Sequence, residues 1–168
     1  MLRILFAGEG GQGVQAAAQI LAKAVFESGK KLLYIPNFGV EQRGGPSLAF
    51  LIIDEKQPVY PKFDQADILA IFSDRSVERV QNYIGPKTKI ILTPAVSKKH
   101  QFLGKTIWVN GKFGNRAWNV LVLGETVALS NLVDKKVLRK AMEERFRRYF
   151  AKNPELKKLD FEALNSVF

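Results

Sequence analysis

The sequence predicts one α/β domain over residues 1–168: a Rossmann-like, three-layer arrangement with a mostly parallel central sheet and helices on both faces. Three observations carry the prediction. Short apolar runs of strand length alternate with segments whose apolar residues recur at helical spacing. A glycine turn joins the first strand to the first helix. No repeat, low-complexity tract or long linker interrupts a chain whose length suits one compact domain.

The elements follow in order. "LRILFA" (2–7) is an apolar strand that enters the glycine turn. Val14, Ala17, Ala18, Leu21, Ala22 and Val25 mark one face of a helix running to Ser28, and Gly29 supplies its stop. "KKLLYIP" is a second strand, ended by Pro36. After a glycine-rich loop, "LAFLIID" (48–54) is continuously apolar, as expected of a strand buried on both faces. "ADILAIFS" (66–73) is a fourth strand, followed by an amphipathic helix from Asp74 to Tyr83. "KIILTP" and "KTIWVN" are the fifth and sixth strands. An apolar helix over 116–131 and two charged helices, Asp134 to Ala151 and Pro154 to Val167, complete the chain.

Composition narrows the chemistry. There is no cysteine, which removes disulfides, thiolate nucleophiles and cysteine-held zinc or iron–sulfur sites. A single histidine, His100, rules out a multi-histidine metal site. No apolar stretch reaches the roughly 20 residues that span a bilayer, and the start lacks the pattern of a targeting segment. A cytoplasmic protein without a membrane partner is expected. Twenty-six Lys and Arg against sixteen Asp and Glu give a net charge of +10. That excess suits either an anionic partner or a plain solubilising surface.

Gly8, Gly10 and Gly13 satisfy G-x-G-x-x-G between a strand and a helix. Glycines let the backbone turn tightly, and free amides at a helix start attract negative oxygen. A dinucleotide site also needs an acidic residue ending the next strand. Pro36 and Asn37 stand there, and Glu41 lies further on in a loop. These glycines serve equally to let the helix pack closely on the strand.

The second loop, "NFGVEQRGGPS", is the more specific feature. "GEGGQGVQ" paired with a later "FGxExRGG" before a buried strand resembles the gamma subunit, or gamma domain, of the 2-oxoacid:ferredoxin oxidoreductases. Relatives in that family include the pyruvate, 2-oxoglutarate, 2-ketoisovalerate and indolepyruvate enzymes. The resemblance rests on Gly8, Gly10, Gly11, Gln12 and Gly13, then Gly39, Arg43, Gly44 and Gly45. The helix "NVLVLGETVAL" (119–129) resembles the family's Asn-containing helix.

The resemblance implies a subunit of an enzyme that converts a 2-oxoacid and coenzyme A to acyl-CoA and CO2, passing electrons to ferredoxin. It implies alpha, beta and delta-type subunits as partners. Thiamine diphosphate, Mg2+ and [4Fe–4S] clusters would belong to those subunits, with no cofactor held by this chain alone. It also implies that the two glycine loops lie together, facing a shared active-site cleft or the coenzyme A path. Arg43 can then pair with a phosphate or carboxylate through its planar fork. Gln12 can bond a ligand or brace the second loop. Both can equally pin the loops together or meet a partner subunit. The competing reading is a stand-alone Rossmann-like nucleotide-binding protein.

Between Glu78 and Glu125 no acidic residue occurs, while Arg79, Lys87, Lys89, Lys98, Lys99, Lys105, Lys112 and Arg116 do. Such a run can steer an anionic cofactor or an acidic subunit, or simply face solvent. Nucleic acid is not expected, because no recognised binding module is present. His100, with no carboxylate near it in sequence, reads as an exposed spectator. Trp108 and Trp118 read as packing residues. Leu138, Met142, Phe146, Tyr149 and Phe150 share one helical face, which either packs on the domain or docks a partner.

Overall fold

A computed structural model describes residues 1–39, 44–59 and 63–168. Its strands are β1 (Leu2–Glu9), β2 (Lys31–Phe38), β3 (Pro46–Asp54), β4 (Ile68–Ile71), β5 (Lys89–Leu92) and β6 (Lys105–Trp108). Its α-helices are α1 (Val14–Glu27), α2 (Val77–Val80), α3 (Trp118–Ser130), α4 (Lys135–Lys152) and α5 (Pro154–Asn165). The sheet order is β2-β3-β1-β4-β5-β6. β1, β4, β5 and β6 are successively parallel, whereas β3 runs antiparallel to both its neighbours. The carboxyl ends of β1, β4, β5 and β6 therefore share one edge, and the turn between β2 and β3 comes back to that same edge.

The alternation of strand and helix predicted this mostly parallel sheet, but the helical cover is unequal. Ile4, Phe6, Ile68, Ala70 and Ile91 point to a face covered by long helices. There α1 and α3 lie on the sheet, while α4 and α5 pack on those two helices, so the second and third layers stack on one side. Leu5, Ala7, Leu69, Ile71, Ile90 and Leu92 point to the other face. Among the described residues it is covered by Phe63, Val77, Val80, Val96 and the short turns around them, with no long helix. The predicted helix from Asp74 to Tyr83 is a broken series instead: single 3-10 turns at Asp74–Ser76 and Gln81–Tyr83 flank α2.

Two strand boundaries also differ from expectation. β2 continues through Pro36 to Phe38, because it is an edge strand and an edge proline forfeits no ladder bond on its open side. β3 begins at Pro46, and its first half alternates between buried and half-buried residues, since only one face is fully covered there. α3 is buried nearly all round, with Val120, Leu121, Val122, Leu123 and Gly124 enclosed between α1 and α5. At its carboxyl end Lys30 and Lys89 donate their ammonium groups to the carbonyls of Leu132 and Leu129, the second at 3.1 Å. Both cations thus complement the negative end of the helix dipole.

Candidate functional site

The glycine–glutamine loop lies at the carboxyl end of β1, next to the position where β3 begins. Glu9 is in register with Pro46 and Gly8 with Ser47. The backbone N–H of Gly10 donates to the Gly45 carbonyl at 2.9 Å, and that of Gly44 returns to the Gly10 carbonyl at 3.5 Å. Gly39 closes the second loop by donating to the Pro46 carbonyl at 3.0 Å. The expectation that the two glycine loops meet is therefore met by backbone pairing. Gly8, Gly10, Gly11, Gln12, Gly13, Gly39, Gly44 and Gly45 are brought together; Arg43 and Glu41 lie outside the described residues.

Glycine is required here for two distinct reasons. A Cβ on Gly8 would come within 2.8 Å of Gln12, Val14 and Phe72, so the turn and the β4 exit pack against bare backbone. Gly13 has φ +80°, and a Cβ there would stand 2.7 Å from Asn119 Nδ2. Gly11 has φ +94°, and among the described residues nothing lies within 4 Å of where its Cβ would stand. Gln12 braces its own loop: its Oε1 accepts from the Glu9 N–H at 2.8 Å, and its N–H donates to the Glu9 carbonyl at 3.2 Å.

Two helix starts converge beyond this loop. α1 begins after Gly13 and α3 after Ala117; neither has a side-chain cap nor an acidic residue in its first turn. Their positive ends thus meet no acidic side chain from their own first turns. A cleft of about 390 Å³ lies between them, walled by Gly11, Gln12, Gly13, Arg116, Asn119 and Tyr149. A second cleft of about 450 Å³ lies on the other side of the same loop, between Gly10, Gly13, Gln15, Gly39, Gly45 and Ser47. The glycine–glutamine loop is the partition between the two.

Gln15 holds the second cleft in shape. Its Nε2 donates to Ser47 Oγ at 3.0 Å and to the Leu48 carbonyl at 2.8 Å, while its Oε1 accepts from the Tyr34 hydroxyl at 2.6 Å. Burial pushes the Tyr34 pKa above its ordinary value, so the hydroxyl stays a donor. Next to the first cleft, Asp160 of α5 is buried on a cavity wall shared with Arg116, Arg145 and Tyr149. Desolvation pushes its carboxyl up to about 6.

Gln15 ends the GEGGQGVQ stretch itself, whereas Arg116, Asn119 and Tyr149 lie far from either glycine loop in sequence. Asn119 carries a signal as the asparagine of the helix noted for its resemblance, Arg116 as the last residue of the basic run, and Tyr149 as part of the α4 face. His100 is no isolated side chain: its Nε2 lies 2.9 Å from Asp74 Oδ1, an oxygen that also accepts from the Ser97 N–H at 2.6 Å. That backbone bond foremost, and His100 after it, hold the Asp74 pKa below its ordinary value. Of the shared face of α4, Leu138, Met142 and Phe150 are buried and Tyr149 is left exposed at the first cleft. Trp118 packs at the α3 start as expected, and among the described residues its Nε1 has no hydrogen-bond partner.

The dinucleotide reading loses its geometry as well as its acid. In that motif the second strand lies beside the first, so its end reaches the ribose. Here β3 intervenes, and the end of β2, with Pro36 and Asn37, stands two strand spacings away, about 10 Å. Among the described residues no cluster of three or more His, Cys, Asp or Glu can hold a metal ion, and no helix is long and apolar enough to cross a membrane.

Comparison with known proteins agrees along the whole length. The model of the family described as pyruvate ferredoxin/flavodoxin oxidoreductase matches residues 3–158. The chain is 31% identical to the pyruvate synthase subunit PorC of Methanothermobacter thermautotrophicus, covering 99% of this chain and 98% of that one. It is 32% identical to the pyruvate/ketoisovalerate oxidoreductases common subunit gamma of Thermococcus kodakarensis, over 87% of each chain. The crystal structure of the keto/oxoacid ferredoxin oxidoreductase gamma subunit from Geobacter sulfurreducens superposes with a TM-score of 0.78 at 25% identity, covering 100% of this chain and 96% of that one.

Proposed function

The chain belongs to the pyruvate ferredoxin/flavodoxin oxidoreductase family, and on that premise we propose that it works as the gamma subunit of a 2-oxoacid:ferredoxin oxidoreductase. The end-to-end match to gamma-type subunits carries this reading. The enzyme oxidatively decarboxylates a 2-oxoacid with coenzyme A, yielding acyl-CoA and CO2 and sending electrons to ferredoxin. Alpha, beta and delta-type subunits complete it and hold its thiamine diphosphate, Mg2+ and [4Fe–4S] clusters. This chain has no cysteine with which to ligate a cluster, and its described residues offer no group of metal-ligating side chains.

The chain's own contribution is the two-loop edge. Gly10, Gly44 and Gly45 keep side chains off a surface that another subunit or a substrate can approach closely. The uncapped starts of α1 and α3, with Arg116 between them, make that edge electropositive and suited to the phosphates of coenzyme A. Gln12 and Asn119 orient whatever anion arrives, and Arg43 would add its guanidinium from the second loop. The stand-alone nucleotide-binding reading is not favoured.

Co-expression of a tagged chain with the genes that neighbour its own, followed by mass spectrometry of what copurifies, tests the subunit reading. Thiamine- and cluster-binding subunits should be recovered; recovery of the chain alone would overturn it. The loop assignment is tested in the assembled enzyme. Asn119→Ala and Arg43→Ala should each raise the KM for coenzyme A several-fold with assembly intact. Intact assembly with unchanged kinetics would remove the ligand role from these residues.

A further inference from the structure

The strands β5 and β6 are parallel neighbours, and a parallel pair is ordinarily joined by a helix that covers the sheet. Here the connection, residues 93–104, contains no helix. In register, Thr106 pairs with Ile90 and Trp108 with Leu92. Ile90 and Leu92 belong to the face that lacks long helices, so Thr106 and Trp108 look out on the same side. The result is an open groove of about 900 Å³, floored by Leu92, Val96, Phe102, Thr106 and Trp108. Trp108 is 40% exposed, although its register partner Leu92 is 1% exposed. The groove runs onto the outer edge of β6, which among the described residues has no strand beside it.

The groove is firmly built. Asp74 Oδ1 accepts from the Ser97 N–H and pairs with His100, so the 93–104 loop is tied to the turn before α2 from two points. The rim is cationic. Lys98 and His100 line it, and Lys99 and Lys105 lie on the same loop and strand. Among the described residues none of these three lysines has an ionic partner. From residue 79 to residue 124 the chain contains no acidic residue at all.

We propose that this groove and the β6 edge seat an amphipathic segment of another subunit of the complex, apolar toward Trp108 and acidic toward the lysine rim. The inference rests on the gamma-subunit reading and adds a docking surface separate from the two glycine loops. An apolar floor with an exposed tryptophan is the usual composition of an interface centre, and an unpaired edge strand is a feature proteins normally cover. Charge chooses the occupant. A second copy of this chain brings the same +10 and the same basic loop, so it is repelled, whereas an acidic segment is drawn in.

The absence of cysteine makes the test clean, because Thr106→Cys introduces the only thiol in the chain. Labelling of this thiol by a small maleimide is compared in the isolated chain and in the assembled complex. The isolated chain should label freely, and assembly should slow labelling at least ~10-fold. A photo-crosslinker on the same thiol should capture a partner-subunit peptide rich in Asp and Glu. Lys98→Glu with Lys99→Glu should weaken assembly, most at low salt, without changing the melting temperature of the isolated chain. Equal labelling with and without partners overturns the inference while leaving the subunit reading intact. So does crosslinking to a second copy, or protection of the isolated chain by RNA or by coenzyme A alone. Failure of the Thr106 chain itself to assemble with any partner overturns the subunit reading and this surface with it.

Discussion

At the scale of single residues, the glycines of the first loop separate backbone strain from crowding. Gly11 and Gly13 both hold positive φ, +94° and +80°, but only Gly13 would meet a neighbour, Asn119 at 2.7 Å. Gly11→Ala should therefore cost roughly 1–2 kcal/mol, the strain of a left-handed residue. Gly13→Ala adds overpacking and should cost roughly 2–4 kcal/mol. Urea unfolding measures both, and Asn119→Ala in the Gly13→Ala background should restore the difference. Equal losses at the two glycines would refute the crowding argument. Asp160 gives a pH-dependent case. Burial raises its carboxyl from the ordinary 3.8 to about 6, so between those values the folded chain binds more protons than the unfolded one. Stability from this group therefore falls as pH rises through that window, and the full penalty persists above it. Asp160→Asn should stabilise the chain at pH 7.5 by roughly 1–2 kcal/mol, below the full value of the shift because the adjoining cleft admits water. Thermal melts at pH 4.5 and 7.5 check it, since the gain should fall to about a third at the lower pH. The glycines of this site were legible because a missing side chain is itself a pattern. Asn119 and Arg116 were legible only within a helix and a basic run, and not as site residues, since only the folded helix start brings them to the loop.

At the scale of elements, α1 is fastened to β2 and β3 by one side chain. Gln15 serves Ser47, Leu48 and Tyr34 through three hydrogen bonds of 2.6–3.0 Å. Gln15→Ala strips all three and should destabilise by roughly 2–3 kcal/mol, whereas Tyr34→Phe removes one and should cost about 1 kcal/mol. In the double variant the losses should fall short of the sum by about 1 kcal/mol, because the Tyr34 bond is already gone once Gln15 is truncated. Additive losses would show that the three contacts act independently. The strands and long helices were readable from apolar periodicity, which depends only on neighbours in sequence. Two departures came from position in the sheet. Pro36 is tolerated within β2 because β2 is an edge, and the segment 74–83 breaks into short turns while covering a sheet face that has no long helix. Neither edge nor coverage is written in local periodicity.

At the scale of the whole molecule, the order of strands was the least legible property. Periodicity shows that strands exist, but not that β3 inserts between β1 and β2, nor that α4 and α5 stack outside α1 and α3. That order shapes the site, because it parts the glycine turn from the end of β2 and places the second glycine loop beside it. It also sets a gradient of stability across the sheet. All four residues of β4 are buried and the strand is paired on both sides. β6 is paired on one side, and three of its four residues are exposed. Native-state hydrogen exchange on the isolated chain should therefore find the β4 amides opening only with global unfolding, at roughly 5–15 kcal/mol. Amides of β6 should exchange through local openings several kcal/mol cheaper, because freeing that edge exposes little apolar surface and leaves β4 and β5 paired. In the assembled enzyme a partner segment on the β6 edge should slow those same amides toward the β4 value. Amides of β6 that exchange as slowly as those of β4 in the isolated chain would mean that the edge is already sealed within the domain. The open groove beside Trp108 would then have no unpaired strand to offer.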